Sequence, residues 1–244
     1  MQVLRSLDDL SDYLKNHDCK DGCFADTGFL YAVSYQDDRL HNIASQVLDV
    51  LAEHEIPIHA NVISRMEFID LIFRKQITLG AIRLFDSLKP TIASKNLFNL
   101  LKDIRDKNTA SQRENRSYKI DEGRLKKLRK ELSQVLEIMS WKKFCKTYSG
   151  KMLVNEWTIM EEEIGLNFVE VMDGGISEEI TSPLRWSDMA DMMGEHGLRG
   201  PDAMILNLFT NSRFPLLITT DGDFEFCLDD QLLFAKDKAI FHLS

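Results

Sequence analysis

The sequence predicts an α/β fold built on a parallel sheet. Three observations carry that reading. Short apolar runs of strand length alternate with longer segments whose apolar residues recur every three or four positions. The strand-like runs are apolar throughout, as suits strands buried on both faces. The chain has 244 residues, 44% of them hydrophobic and 28% charged, enough for a sizeable core.

Taken in order, 7–16 reads as a short amphipathic helix. Asp21-Gly22 breaks the chain before Cys23-Phe24-Ala25, a buried strand that ends in a turn at Asp26-Thr27. Over 37–55, Leu40, Ile43, Ala44, Val47, Leu48 and Leu51 keep helical spacing behind acids that suit a helix N-terminus. Residues 56–60 read as a second short strand. A helix follows over 64–85, with Gly80 as a point of interruption. Further on, 155–164 reads as helix, 167–172 as strand and Asp173-Gly174-Gly175 as a turn. Helices follow over 186–195 and 201–211, with Pro201 in a first-turn position. Strands at 215–220 and 238–243 close the pattern.

The middle of the chain breaks the alternation. Over 107–147 twelve Lys or Arg stand against five acids, a local net of +7. The whole chain carries −9, so the remainder carries −16. Leu125, Leu128, Leu132, Val135, Leu136 and Met139 keep a helical stripe through this basic region. It reads as a helical insertion, 96–154, within a single domain spanning 1–244.

Several classes fall away on composition. No apolar run approaches the roughly 18 residues that span a bilayer, and acids stand where a signal peptide needs an apolar core. Cys19, Cys23, Cys145 and Cys227 form no CxxC, so a disulfide framework or structural zinc site is not expected, and a reducing cytoplasm is. The six histidines show no HxH or HExxH spacing, against a zinc hydrolase.

In an open parallel sheet, ligands bind beyond the carboxyl ends of the strands. Asp26 and Asp221 close two predicted strands, although each is also a natural turn former or helix cap. Asp202 opens a helix three, four and seven residues before Ile205, Leu206 and Phe209, on the apolar side. Glu67 lies on the helix after the second strand. Asp70 is one turn further and could share its site, or either acid could pair with Arg74. Carboxylates converging in one cleft cannot all stay ionised without a cation. Hard Mg²⁺ or Mn²⁺ ions take oxygen ligands and can clamp the attacking and leaving oxygens of a phosphodiester.

In this order, these residues resemble the PIN-domain family of metal-dependent ribonucleases, which includes the VapC-like toxins. The matching pieces are Phe24-Ala25-Asp26-Thr27, Ile63-Ser64-Arg65-Met66-Glu67-Phe68, Gly197-Leu198-Arg199-Gly200-Pro201-Asp202-Ala203 and Leu217-Ile218-Thr219-Thr220-Asp221-Gly222-Asp223-Phe224. They fall within 20–95 and 155–244. The resemblance implies a parallel sheet sandwiched by helices, with metal held by Asp26, Glu67, Asp202 and Asp221 and assisted by Asp223. Thr27 and Thr220 would orient carboxylates. The large middle region departs from the compact toxins of the family.

The resulting expectation is an endoribonuclease that hydrolyses RNA with Mg²⁺ or Mn²⁺ and needs no protein nucleophile. Arg124, Lys126, Lys127, Arg129 and Lys130 would offer the RNA a cationic surface, alongside Arg113, Arg116, Lys142, Lys143 and Lys146, with Tyr118 and Trp141 as stacking partners. A solvated helical face and a dock for an acidic protein are the other readings of that charge run. An antitoxin or other regulatory protein and a second copy of the chain are the partners the resemblance admits. A non-catalytic RNA-binding or scaffold protein with the same fold is the alternative. A phosphatase using Asp26 as nucleophile would want an acid two residues on, where Gly28 stands.

Overall fold

The computed structural model describes residues 2–87, 94–114, 116–134, 139–150, 152–170, 178–227 and 238–244. In chain order these form β1 (Gln2–Leu4), α1 (Leu7–Asn16), β2 (Cys23–Ala25), α2 (Thr27–Ser34), α3 (His41–Glu53), β3 (Ile58–Asn61) and α4 (Val62–Ser87). Then come α5 (Lys95–Arg113), α6 (Glu122–Gln134), α7 (Trp141–Tyr148), α8 (Met152–Glu163), β4 (Asn167–Val169), α9 (Trp186–His196) and α10 (Gly200–Thr210). The chain ends with β5 (Leu216–Thr219), a 3₁₀ turn over Gly222–Cys227, and β6 (Ala239–His242). The predicted turn at Asp173-Gly174-Gly175, and Val135 and Leu136 of the helical stripe, lie outside the described residues.

The protein is α/β. Six strands form one sheet in the order β1-β6-β5-β2-β3-β4, and every pairing in it is parallel. Side chains alternate across a strand, and both sets are buried here. Phe24, Leu217 and Ile240 enter a core with Leu206 and Phe209 of α10 and Met192 of α9. Cys23, Ala25, Leu216 and Ile218, on the opposite face, are also fully buried. Double burial explains why the strands read as unbroken apolar runs.

Two compact units divide the chain. The sheet belongs to the first, which comprises Met1–Gln36, Leu40–Phe68 and Thr158–Ser244. The second, Ile69–Trp157 with Asp37–Arg39, has its own helical core. Ile77, Ala81 and Leu84 of α4, Leu97, Leu101 and Ile104 of α5, Leu128 and Leu132 of α6 and Phe144 of α7 are buried together in it.

Local chemistry explains several boundaries. Ser6 and Asp9 form a reciprocal capping box at α1. Asn61 Oδ1 accepts the N–H groups of Ile63 and Ser64, both at 2.9 Å, and so starts α4. The structure departs from three sequence expectations. Asp37 does not open α3, which begins at His41; it accepts from the buried ammonium of Lys75 at 2.5 Å, within the second unit. Gly80 does not interrupt α4. It lies where Tyr148 crosses the helix, and a Cβ there would stand 2.6 Å from the tyrosine ring. The segment after Asp26 is a helix, α2, where the sequence predicts a turn.

Candidate functional site

The strand order reverses direction at β2. From it the sheet grows through β3 on one side and through β5 on the other, and the crevice beyond the carboxyl ends at such a point is the usual ligand position. Asp26 follows β2 and Asp221 follows β5 by two residues. The register pairs Ala25 with Ile218, and the Asp26 N–H donates to the Ile218 carbonyl at 2.9 Å. That bond carries the ladder one step further and sets Asp26 level with Thr219.

Asp26 is 5% exposed and both of its carboxylate oxygens are held. Oδ1 accepts the Thr27 N–H at 2.6 Å, so Asp26 also caps α2. Oδ2 accepts the Thr219 hydroxyl at 2.8 Å. The Thr219 hydroxyl oxygen in turn accepts the Asp221 N–H at 2.9 Å, and Asp221 Oδ1 accepts the Asp223 N–H at 2.9 Å. On the other side, the Thr27 hydroxyl donates to Glu67 Oε2 at 3.1 Å. Two threonine hydroxyls therefore tie Asp26, Glu67 and Asp221, drawn from β2, α4 and β5, into one network.

Electrostatics extends the group to Asp202. Burial, more than any other cause, pushes the Asp26 carboxyl up to about 6. Hydrogen bonds from Thr219 and Thr27 oppose the rise, and the charges of Glu67 and Asp221 add to it. Asp202, half-buried in the first turn of α10, is also pushed up to about 6, first by burial and then by Asp221, Asp26 and Asp223, with Arg199 opposing. Its helix neighbours Ile205, Leu206 and Phe209 are fully buried, which accounts for its partial desolvation. Four segments remote in sequence thus bring carboxylates within electrostatic reach of one another at one end of the sheet.

The donor chemistry suits a hard divalent cation, because carboxylate and hydroxyl oxygens dominate and a cation offsets their mutual repulsion. The spacing is looser than the chemistry. Among the described residues, no three His, Cys, Asp or Glu side chains are gathered closely enough to form a ready-made metal cage.

Other expected residues fall differently. The hydroxyl that orients Asp26 belongs to Thr219, not Thr220. Thr220 instead crowds Gly28, where a Cβ would collide with its hydroxyl oxygen. No larger residue fits at position 28 without moving Thr220, which leaves no room for the second acid of an aspartate-nucleophile phosphatase. Asp70 pairs with Arg74 at 2.7 Å within the second unit, the ion pair that the spacing allowed. Sequence reasoning passes over Thr219 and Asn61. An Asn ahead of a helical run is a legible cap signal, whereas Thr219 needs the β2–β5 register.

The basic surface divides. Arg124 is held by Asp103, at 2.7 Å, and by Asp121, so its guanidinium serves the fold of the second unit. Lys126 pairs with Glu122 at 2.6 Å in solvent. Lys127, Arg129 and Lys130 lie exposed on α6, and Lys142, Lys143 and Lys146 lie exposed on α7. Tyr118 and Trp141 pack against the helical core, and Trp141 stacks on Phe144 with centroids 5.9 Å apart, so neither is an open platform. Among the described residues no helix is long and apolar enough to cross a membrane. No protein-family model, curated protein or solved structure matches the chain.

Proposed function

We propose that the chain is a metal-dependent endoribonuclease of the PIN-domain kind. Asp26, Glu67, Asp202 and Asp221 would hold Mg²⁺ or Mn²⁺, with Asp223 assisting. The observation that carries this reading is the meeting of carboxylates from β2, α4, α10 and the end of β5 beyond one end of a parallel sheet. A bound cation would supply charge neutralisation at the phosphate and activation of water. The chain's own residues supply position. Thr219 and the Thr27 N–H keep Asp26 from turning away, and the Thr27 hydroxyl steers Glu67. The lysines and arginine along α6 supply the long-range attraction that an acidic site denies a polyanion. Within this reading the compartment is the cytoplasm, and an antitoxin-like regulator or a second copy of the chain are the protein partners to test.

A second reading, a non-catalytic RNA-binding or scaffold protein, draws on the absence of a ready-made cage among the described residues. One experiment separates them. A mixed RNA pool is incubated with the protein in Mn²⁺ or in EDTA, beside Asp26→Asn/Asp202→Asn, while calorimetry follows Mn²⁺ binding. The nuclease reading expects cleavage only in Mn²⁺ and only by the unaltered chain. Cleavage that survives EDTA or the double variant overturns the metal assignment. RNA retention with neither cleavage nor Mn²⁺ binding establishes the scaffold.

A further inference from the structure

The acids gathered beyond the strand ends repel one another, and a phosphodiester would meet the same repulsion. A positive charge that opposes them at Asp202 is Arg199. It stands just before Gly200, the first residue of α10, and Asp202 is the third residue of that helix. Positions three apart across a helix start are side-chain neighbours, the spacing on which a capping box depends. The cation therefore shares the first turn of α10 with one of the four acids.

The backbone that carries Arg199 is fixed from both sides. The helix α9 ends at Gly197, whose φ of +69° turns the chain and whose N–H donates to the Met193 carbonyl at 3.1 Å. Leu198 follows, 5% exposed and packed in the core with residues of α9 and α10. The Arg199 carbonyl then accepts the Ala203 N–H at 2.8 Å, the opening bond of α10.

The side chain has no such employment. Arg199 is exposed. Arg74 and Arg124 are held in ion pairs, whereas among the described residues Arg199 has no ion-pair partner, Asp202 included. An exposed cation near a half-buried acid contributes little to stability. A guanidinium is permanently charged, and its paired N–H donors match two oxygens of a phosphate. A phosphodiester seated at Asp202 would meet those donors.

We infer that Arg199 is a further catalytic residue, one that grips the nonbridging oxygens of the phosphodiester being cut. The inference rests on the nuclease reading. As water adds to phosphorus, the bond to the leaving ribose oxygen breaks. The proton that water gives up passes to solvent, and solvent supplies the one that the leaving oxygen gains. Arg199 keeps its protons throughout and offsets the charge that grows on the phosphate.

The test measures initial cleavage rates on the mixed RNA pool in Mn²⁺ for the full chain, Arg199→Ala and Arg199→Lys. Calorimetry follows Mn²⁺ binding, and thermal melting follows the fold. Arg199→Ala is expected to cleave about 10–100-fold more slowly, with Arg199→Lys between it and the unaltered chain. Guanidinium ion, added below its denaturing range, returns part of the rate to Arg199→Ala. Mn²⁺ binds that variant at least as tightly as the unaltered chain, because a repelling charge has gone, and the melting temperature is unchanged. Cleavage by Arg199→Ala at the unaltered rate overturns the inference and leaves the nuclease reading standing. A lower melting temperature with weaker Mn²⁺ binding also overturns it, by marking the arginine as structural. If the unaltered chain cleaves no RNA, the nuclease reading fails and this inference fails with it.

Discussion

The Thr219 hydroxyl occupies the junction of the carboxylate network, donating to Asp26 Oδ2 while accepting from the Asp221 N–H. It is fully buried, and Asp26 is only 5% exposed, so water is a poor substitute at that carboxylate. Thr219→Val keeps the shape and removes both bonds. The expected cost is about 2 kcal/mol of unfolding free energy, measured by urea denaturation, together with a weaker stabilisation by Mn²⁺. Thr220→Val is expected to cost much less, and equal losses for the two variants would refute the assignment. The acids themselves are legible in the sequence, because strand ends and a helix start are written in local pattern. Which of two adjacent threonines orients Asp26 is not. That choice depends on the level at which β5 lies against β2, and register is a tertiary property.

Helices are readable where they bury one face and obscure where they bury all, whereas a strand buried on both faces still reads as an unbroken apolar run. The helix α1 and the strand β5 follow their patterns within a residue or so. The helix α2 escapes a reading by period because Phe29, Leu30, Tyr31 and Ala32 are buried in succession, which erases the helical repeat. With only Gln2–Leu4, β1 is too short to show any period. Gly80 reads as a helix breaker because its reason lies on another element, the Tyr148 ring. Gly80→Ala raises helix propensity by about 1 kcal/mol, yet its Cβ meets that ring, and overpacking costs about 1–3 kcal/mol. The expected result is a net loss of stability in the unaltered chain and a gain in a Tyr148→Ala background. A gain in both backgrounds would remove the argument. A second junction is Lys238, just before β6. Its ammonium donates to the carbonyls of Phe209, Ser212 and Phe214 at 2.7–2.9 Å, tying the end of α10 to the approach to β5. Burial still pushes it down to about 8 from the ordinary 10.5. Between those values the folded chain binds fewer protons than the unfolded one, so stability rises with pH across that window. The difference in stability between the unaltered chain and Lys238→Met should therefore shift by about 2 kcal/mol towards the unaltered chain from pH 7 to pH 9.5. A difference independent of pH would show that the carbonyl cage holds the ammonium at its ordinary value.

Over the whole molecule, the net charge of −9 conceals its own partition. The stretch 107–147 carries +7, but part of that charge is committed internally. Arg124 is shared by Asp103 and Asp121, and Lys126 answers Glu122. Reversing Lys126 would set two acids one turn apart on α6 and confound a binding defect with a folding one. The informative substitutions are Lys127→Gln and Lys130→Gln on the same helix, which remove charge without setting a second acid one turn from Glu131. If RNA lies along α6, the pair should weaken its binding across sequences and reduce the slope of log affinity against log salt by about 1 for each phosphate no longer neutralised. Arg124→Ala should do the reverse, lowering the melting temperature while leaving the salt slope in place. Fluorescence anisotropy with one single-stranded RNA over a salt series separates the two outcomes. An unchanged slope in Lys127→Gln/Lys130→Gln would move RNA off this helix and leave its charge as a solvated face or a dock for an acidic protein. A flattened slope with Mn²⁺ binding intact would make attraction and chemistry separable properties of the two units.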